Sequence, residues 1–194
     1  MWNEKNIERE GLLVVFSSPS GGGKTSIYKA LLQKNPQFKY SVSVTTRKPR
    51  VGEVDGESYS FVTDEEFQRL ISQGKLAEWA EVHDHYYGTR RSYIDSAMKS
   101  NSVLLFDLDI QGGLNIRKAY PKNTVLVFIL PPTFQELKER LTRRRTESEQ
   151  DFKLRLKNAR KEYNFWYKYD YLVINDVLDV IKKNKLKAEG IVVD

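Results

Sequence analysis

The sequence predicts an α/β protein built on a parallel five-stranded sheet flanked by helices. Two observations support this fold class. The first is a set of four continuous apolar runs that alternate with helical patterns, with a weaker fifth run at residues 40–44; the four are 12–17, 103–107, 124–130 and 171–174. Such runs are typical of parallel strands that are buried on both faces. The second is a glycine-rich loop between the first run and the first helical pattern.

This loop has the composition of a phosphate-binding loop (P-loop). It reads Ser20-Gly21-Gly22-Gly23-Lys24-Thr25-Ser26, and the helical pattern after it places Ile27, Ala30 and Leu31 on one face. Glycines let backbone N–H groups turn toward an anion, and the helix N-terminus adds partial positive charge. Lys24 can reach phosphate oxygens, and the Thr25 hydroxyl can ligate Mg²⁺. The alternative is a glycine-rich turn that only caps a helix.

Composition narrows the class of protein. The 194 residues suit one compact domain, and the absence of cysteine excludes disulfides and thiolate metal sites. Residues 1–11 are charged, which is unlike a secretory signal, and no run approaches the ~20 apolar residues of a membrane span. We therefore expect a cytoplasmic protein. The net charge is +6, with arginines concentrated at 47–50 and 140–145. This clustering favours small phosphorylated substrates over nucleic acid or a membrane.

Two regions differ from the alternating core. Residues 45–92 predict a small mixed lobe, with strands at 59–62 and 76–82 that alternate like half-exposed antiparallel strands. A short helix should join them, with a capping box of Thr63 and Glu66 and an end at Gly74. Residues 133–164 predict two helices joined by an arginine-rich link, which is the composition of a mobile lid. The first should begin with a second capping box, Thr133 and Glu136.

Several longer segments resemble the guanylate kinase family over residues 12–187. They are 41–59, Glu78-Trp79-Ala80-Glu81-Val82, Tyr86-Tyr87-Gly88-Thr89, Asp107-Leu108-Asp109-Ile110-Gln111-Gly112 and residues 140–147. The resemblance implies the P-loop nucleoside monophosphate kinase (NMP kinase) fold, with an inserted mixed α/β GMP-binding lobe and a helical lid. One domain, 1–194, would then divide into a core (12–44, 93–132 and 165–190), a GMP-binding lobe (45–92) and a lid (133–164).

The resemblance also implies the reaction and its site. The reaction is ATP-dependent phosphorylation of GMP, and of dGMP, in purine nucleotide metabolism, with Mg²⁺. The implied catalytic residues are Lys24, Arg47, Arg140, Arg144 and Arg155. The implied ATP-binding residues are Ser20, Gly21, Gly22, Gly23, Lys24, Thr25, Ser26 and Asn175. The implied GMP-binding residues are Ser43, Arg47, Arg50, Tyr59, Glu78, Tyr87, Gly88, Thr89, Asp107 and Asp109. Thr25 is the expected Mg²⁺ ligand, and the role of Asp107 stays open between water-mediated help to Mg²⁺ and a place beside GMP.

The residue types support this assignment chemically. Arg47 and Arg50 offer bidentate forks to a phosphate. A Glu78 carboxylate can accept from both guanine donors, N1–H and the 2-amino group, while Ser43 donates to O6. Strand alternation with Glu81 does not show which side Glu78 faces. The acceptor nucleophile is an ionised phosphate oxygen, so no general base is needed.

The chain departs from the family pattern at five places. Ser18 stands where the first P-loop glycine belongs, which is tolerated if its φ is negative; the others are Asp84 and His85 in place of Gly-Asn, Arg90 in place of Pro, and Arg145 in place of Gly. His83 and His85 are predicted to be surface or packing residues.

Three alternatives remain at this point: a guanylate-kinase-like binding module, a P-loop kinase of another phosphorylated acceptor, and a nucleic-acid-binding protein. An intact Gly-Lys-Thr loop favours the enzyme over the binding module. The sequence does not distinguish a monomer from a homo-oligomer.

Overall fold

The structure is a computed structural model, and it describes residues 11–82, 84–143 and 149–176, without the side chains of 150 and 151. The strands are β1 Leu12–Ser17, β2 Lys39–Tyr40, β3 Val44–Thr45, β4 Ser60–Phe61, β5 Leu76–Val82, β6 His85–Arg90, β7 Val103–Asp107, β8 Thr124–Leu130 and β9 Tyr171–Ile174. The helices are α1 Lys24–Lys34, α2 Asp64–Ser72, α3 Arg91–Lys99, α4 Ile110–Ala119, α5 Phe134–Arg143 and α6 Glu149–Tyr163, followed by a 3-10 helix over Asn164–Lys168.

The first sheet has five parallel strands in the order β2-β7-β1-β8-β9, which confirms the predicted core. Its apolar runs are buried on both faces because helices cover both. Leu13, Val15 and Phe106 belong to one buried cluster, and Phe16 and Ile27 belong to another. The carboxyl ends of β1 and β7 lie side by side at one edge, and the chain that follows these two strands carries the predicted P-loop and Asp109.

The weak fifth run, residues 40–44, was predicted to form one strand, but the structure divides it between two strands. Tyr40 ends β2 in the first sheet, whereas Val44 begins β3 in a second sheet. The three residues between them are held from both sides: Ser41 N–H donates to Leu105 O at 2.9 Å, and Ser43 O accepts from Ser60 N–H at 2.8 Å. Both sheets satisfy the backbone of one short extended segment, so its composition did not show the division.

The second sheet has the order β4-β3-β6-β5. The pairs β3–β6 and β5–β6 are antiparallel, but β4 pairs in parallel with β3, which corrects the antiparallel expectation for residues 59–62. Strand alternation reports which face is buried and not the direction of pairing. Residues 46–59 bring the chain back to the level of the beginning of β3, so β4 runs alongside β3 in the same direction.

Helix α2 forms as predicted. The Thr63 hydroxyl accepts from Glu66 N–H, and the Glu66 carboxylate accepts from Thr63 N–H, which completes the capping box. Phe67 is fully buried against the second sheet. Gly74 follows the helix with a φ of 63°, a conformation that glycine adopts without strain.

Helices α5 and α6 pack against each other through Leu137, Leu141 and Ala159. Thr133 caps α5 by accepting from Glu136 N–H at 3.1 Å, while the Glu136 carboxylate binds Arg140 at 2.8 Å. The link between the two helices, residues 144–148, lies outside the described residues. In the described part of the chain, no helix combines the length and apolar character needed to cross a bilayer.

Candidate active site

The phosphate-binding loop lies between the end of β1 at Ser17 and the start of α1 at Lys24. Gly21 and Gly23 have φ values of 87° and 94°, which L side chains rarely adopt. Gly22 N–H donates to Pro19 O at 2.9 Å and closes the turn. The φ of Ser18 is not positive, so serine can stand at this position, where the family has glycine, without backbone strain.

Asn175 packs directly on this loop. It follows β9 and is 2% exposed, and its Nδ2 donates to Gly22 O at 2.9 Å. A Cβ atom on Gly23 would collide with that Nδ2, so only glycine permits the contact. The Asn175 Oδ1 is buried and has no hydrogen-bond partner. It is therefore an acceptor that a bound donor could satisfy.

The predicted P-loop lysine reaches the end of β7. Phe16 pairs with Asp107 in the parallel register, which brings the Lys24 Nζ within 3.2 Å of Asp107 Oδ1. The same Nζ donates to Leu108 O at 3.4 Å. Parallel pairing of two distant segments thus places the loop cation against a carboxylate.

The donor set beside Lys24 fits magnesium only together with substrate oxygens. Thr25 lies exposed in the first turn of α1, and Asp107 is the adjacent carboxylate. Within the described residues, no group of three or more His, Cys, Asp or Glu could hold a metal ion. Mg²⁺ commonly binds through one or two protein groups, several waters and nucleotide phosphates, so these residues suit it.

Arg140 joins α5 to the phosphate-binding loop. Its Nη2 donates to Asn175 O and to Asp176 O, each at 2.9 Å, and its Nε donates to Glu136 Oε1. The Arg140 Nη1 lies 3.8 Å from the position of a Cβ on Gly23. Arg155 lies half-buried on α6, and Arg144 falls outside the described residues. The described structure therefore brings Arg140 to the loop.

Arg47 is fixed by a carboxylate that the sequence analysis did not identify. Its guanidinium Nη2 lies 2.8 Å and 2.9 Å from the two oxygens of Glu53, and its Nη1 donates to Lys48 O at 2.6 Å. Glu53 Oε2 also accepts from Arg50 N–H at 2.7 Å. One carboxylate thus holds the guanidinium of Arg47 and the backbone of Arg50, both predicted phosphate-binding residues. Its place three residues after Arg50 was the available signal.

Two tyrosines surround Arg47. The guanidinium carbon lies 5.3 Å from the centre of the Tyr59 ring, and the Tyr59 and Tyr87 rings meet edge to face at 6.1 Å. Burial, with the negative charge of Asp107 adding to it, raises the pKa of the Tyr59 hydroxyl to about 12. This hydroxyl therefore keeps its proton and can donate to an anion.

Glu78 is buried on β5, whereas Glu81 on the same strand is exposed. The structure therefore shows that Glu78 lies on the buried face of the second sheet. Its side chain is 7% exposed, and its Oε1 accepts from the buried Thr89 hydroxyl at 2.7 Å. Burial raises the pKa of Glu78 to about 7; the Thr89 hydrogen bond opposes the shift, and the charge of Asp109 adds to it. A buried carboxylate with one oxygen free of that bond can bind a ligand that offers N–H donors.

Three other residues predicted to bind GMP lie on or beside the second sheet or in the turn before α4. Ser43 is buried at the start of the second sheet. A Cβ on Gly88 would lie 3.1 Å from Glu78 O and 3.2 Å from the Phe67 ring, so glycine permits the close pairing of β5 and β6. Asp109 caps α4 by accepting from Gly112 N–H at 2.7 Å.

The hairpin before β6 contains one of the departures from the family pattern. Asp84 has a φ of 61°, which aspartate tolerates better than most residues. His85 is half-buried on β6, and His83 lies outside the described residues.

Comparison with known proteins agrees with this geometry. The family model described as guanylate kinase matches residues 10–188. The guanylate kinase of Caldanaerobacter subterraneus subsp. tengcongensis is 45% identical over 174 residues, covering 90% of this chain and 84% of the relative. That of Brucella melitensis biotype 1 is 47% identical over 178 residues, covering 91% and 80%. The crystal structure of guanylate kinase from Anaplasma phagocytophilum has a TM-score of 0.73 at 33% identity, covering 88% and 80%. A P-loop on a five-stranded parallel sheet, with a second sheet facing it, is thus the architecture of a P-loop NMP kinase, and the chain belongs to the guanylate kinase family.

Proposed function

We propose that this chain transfers the γ-phosphoryl group of ATP to GMP, giving ADP and GDP, with dGMP as a second acceptor. The observation that carries the proposal is the combination of an intact Gly-Lys-Thr loop with a buried carboxylate, Glu78, on the facing sheet. The loop suits a nucleoside triphosphate, and the carboxylate suits a base with adjacent N–H donors.

ATP binds through residues 20–26 in this proposal. Their backbone N–H groups surround the phosphates, and the Lys24 ammonium contacts the β- and γ-phosphate oxygens. The unpartnered Oδ1 of Asn175 accepts from the adenine amino group. The Thr25 hydroxyl would hold Mg²⁺ together with the phosphates, and Asp107 would be the nearby carboxylate. The ion would compensate the charge on the phosphates.

The GMP phosphate binds to Arg47, Arg50, Tyr59 and Tyr87. The Arg47 guanidinium is already held by Glu53, which reduces the entropy lost when the phosphate binds. The protonated Tyr59 hydroxyl donates to a phosphate oxygen.

The guanine base binds between the second sheet and the turn before α4. Glu78 as carboxylate accepts from N1–H and the 2-amino group, and Ser43 donates to O6, with Thr89 and Asp109 in support. Adenine would place its N1 acceptor against the carboxylate and lose both bonds. A site built to satisfy particular polar groups rejects an analogue that leaves them unpaired.

Catalysis requires position and charge compensation. The nucleophile is a GMP phosphate oxygen that is already ionised, so no base removes a proton. Lys24, Arg47 and Arg140, with Arg144 and Arg155, compensate the charge spread over the transferring group. Closure of the lid (133–164) and the GMP-binding lobe (45–92) onto the core (12–44, 93–132 and 165–190) excludes water.

The test is ADP release from ATP and Mg²⁺ with one acceptor at a time: GMP, dGMP, AMP, CMP, UMP or none. Turnover with GMP and dGMP, and little with the others, is the expected result. A folded protein that binds GMP but turns over no acceptor would indicate a binding module. Equal turnover with all four ribonucleoside monophosphates would contradict the assignment of Glu78.

A further inference from the structure

Gly112, in the first turn of α4, lies between two carboxylates. A Cβ built on this glycine would lie 3.2 Å from Glu78 Oε2 and 3.1 Å from Asp109 Oδ1. Both distances are shorter than an ordinary van der Waals contact of a methyl group. The bare Cα of Gly112 is therefore what leaves space for the second oxygen of Glu78.

Neither carboxylate is free to withdraw from a new side chain at this position. Glu78 is 7% exposed, and the 2.7 Å bond from the Thr89 hydroxyl fixes its other oxygen. Asp109 Oδ1 accepts from the N–H of Gly112 itself at 2.7 Å, which ties it to the start of α4. A methyl group on Gly112 would therefore press against the carboxylate of Glu78, which cannot move away easily.

We propose that Gly112 is a positioning residue for acceptor specificity, which holds the base-facing oxygen of Glu78 where the guanine 2-amino group reaches it. The inference rests on the proposed function, because it assigns a further determinant to the same base site. It also links the two sheets: Glu78 belongs to the second sheet, and α4 packs on the first.

The charges at this position give a second, independent readout. Two groups of the described structure face Glu78: the Thr89 hydroxyl from β6 and the Asp109 carboxylate from the turn before α4. A methyl group against Oε2 removes space for solvent or a donor, which disfavours the ionised form. The carboxylate would then ionise at higher pH than in the wild type.

Gly113 provides a matched control on the same helix. A Cβ there would lie 3.2 Å from Ser17 Oγ and 3.2 Å from Val15 Cγ1, so the crowding is similar but is directed at β1. Gly113→Ala should therefore share any general loss of stability with Gly112→Ala without moving Glu78.

The experiment measures kcat and KM for GMP and IMP from pH 6 to pH 9 in the wild type, Gly112→Ala and Gly113→Ala. IMP lacks the 2-amino group, so the ratio of the two kcat/KM values reports that contact. We expect Gly112→Ala to lower this ratio about tenfold, mainly through the KM for GMP, since tenfold corresponds to one moderate hydrogen bond. The acid limb of kcat/KM for GMP should move to higher pH, and Gly113→Ala should retain the wild-type ratio and limb.

The outcomes separate this inference from the proposed function. A wild-type enzyme that shows no preference for GMP over IMP would contradict the proposed contact of Glu78 with the 2-amino group, and the inference with it. A wild-type preference that Gly112→Ala retains, with an unmoved acid limb, would overturn the inference alone. An equal loss of the ratio in Gly113→Ala would overturn it too.

If Gly112→Ala does not fold, the inference can be tested in a variant with a shorter carboxylate at position 78. Glu78→Asp removes one methylene and the crowding, so Gly112→Ala added to Glu78→Asp should leave its GMP to IMP ratio unchanged. A further fall of that ratio, or failure of the double variant to fold where Glu78→Asp folds, would overturn the inference.

Discussion

The proposed ATP site and the proposed acceptor site hold their polar groups in different ways. The loop presents backbone groups and one lysine within residues 18–26, and it is anchored by Asn175 and Arg140. On and beside the second sheet, the proposed ligand groups are charged side chains that are each held by a partner side chain. Arg47, proposed for the phosphate, is paired with Glu53, and Glu78, proposed for the base, is paired with Thr89.

The difference concerns what a substitution can remove. On the loop, a side chain can be lost without altering the backbone that holds the phosphates. On the second sheet, removing a carboxylate also releases the residue that it fixes. We therefore expect substitutions at the loop to affect turnover, and substitutions at the sheet to affect acceptor affinity and selectivity.

Lys24→Ala should have the largest effect on turnover, and it tests whether the loop and the second sheet have separate roles. Removing one charge-compensating donor costs about 10²–10³ in kcat in comparable sites. GMP affinity should be retained, because Lys24 is not among the proposed GMP contacts. Steady-state kinetics and calorimetric titration with GMP check this. A collapse of GMP binding along with kcat would show that the two sites are not separate.

Glu78→Gln should follow, with a loss of about 10- to 100-fold in kcat/KM for GMP, since a bidentate pair to a base contributes about 1–3 kcal/mol. The KM for ATP should change little. Glu81→Gln, an exposed residue on the same strand, is the matched control. An unchanged preference for GMP over AMP in Glu78→Gln would remove Glu78 from base recognition.

Glu53→Gln should have a smaller effect that sharpens the role of the partner. The neutral amide loses charge-assisted contact with Arg47, and such a contact contributes about 1.5–3 kcal/mol at most, less with partial exposure. We expect the KM for GMP to rise about threefold to tenfold with kcat nearly constant. Glu57→Gln, exposed in the same segment, should match the wild type. A lower kcat with an unchanged KM would place Glu53 elsewhere in the mechanism.

Proton release is the smallest expected effect. Glu78 has a pKa near 7 without ligand, and guanine N–H donors favour its charged form, so binding lowers the pKa. Binding at pH 7 should release about half a proton from Glu78, and GMP affinity should fall as the pH drops below 7. Titration calorimetry in buffers of different ionisation enthalpy measures the release. In Glu78→Gln this contribution should vanish; equal proton exchange in both proteins would contradict it.

The sequence predicted the parts of the molecule whose signals are contiguous. The P-loop, the four long strands and the capping box of α2 each occupy one short segment, and local chemistry determines them. The division of residues 40–44 between two sheets was missed because both sheets satisfy the same extended backbone. Glu53 was missed because its spacing from Arg50 is a weak signal in a polar loop, and its pairing with Arg47 forms only when the loop folds. The roles of Arg144 and Arg155 stay predictions.

The three-residue passage from β2 to β3 has a consequence for selectivity. Ser43 leads into the second sheet and Glu78 belongs to it, whereas Asp109 and Gly112 lie at the start of α4, which packs on the first sheet. The wall of the proposed base pocket is therefore made by both sheets, and Glu78 already lies against the start of α4 before a nucleotide binds. A base that does not fit this preformed pocket is rejected by its shape as well as by its hydrogen bonds.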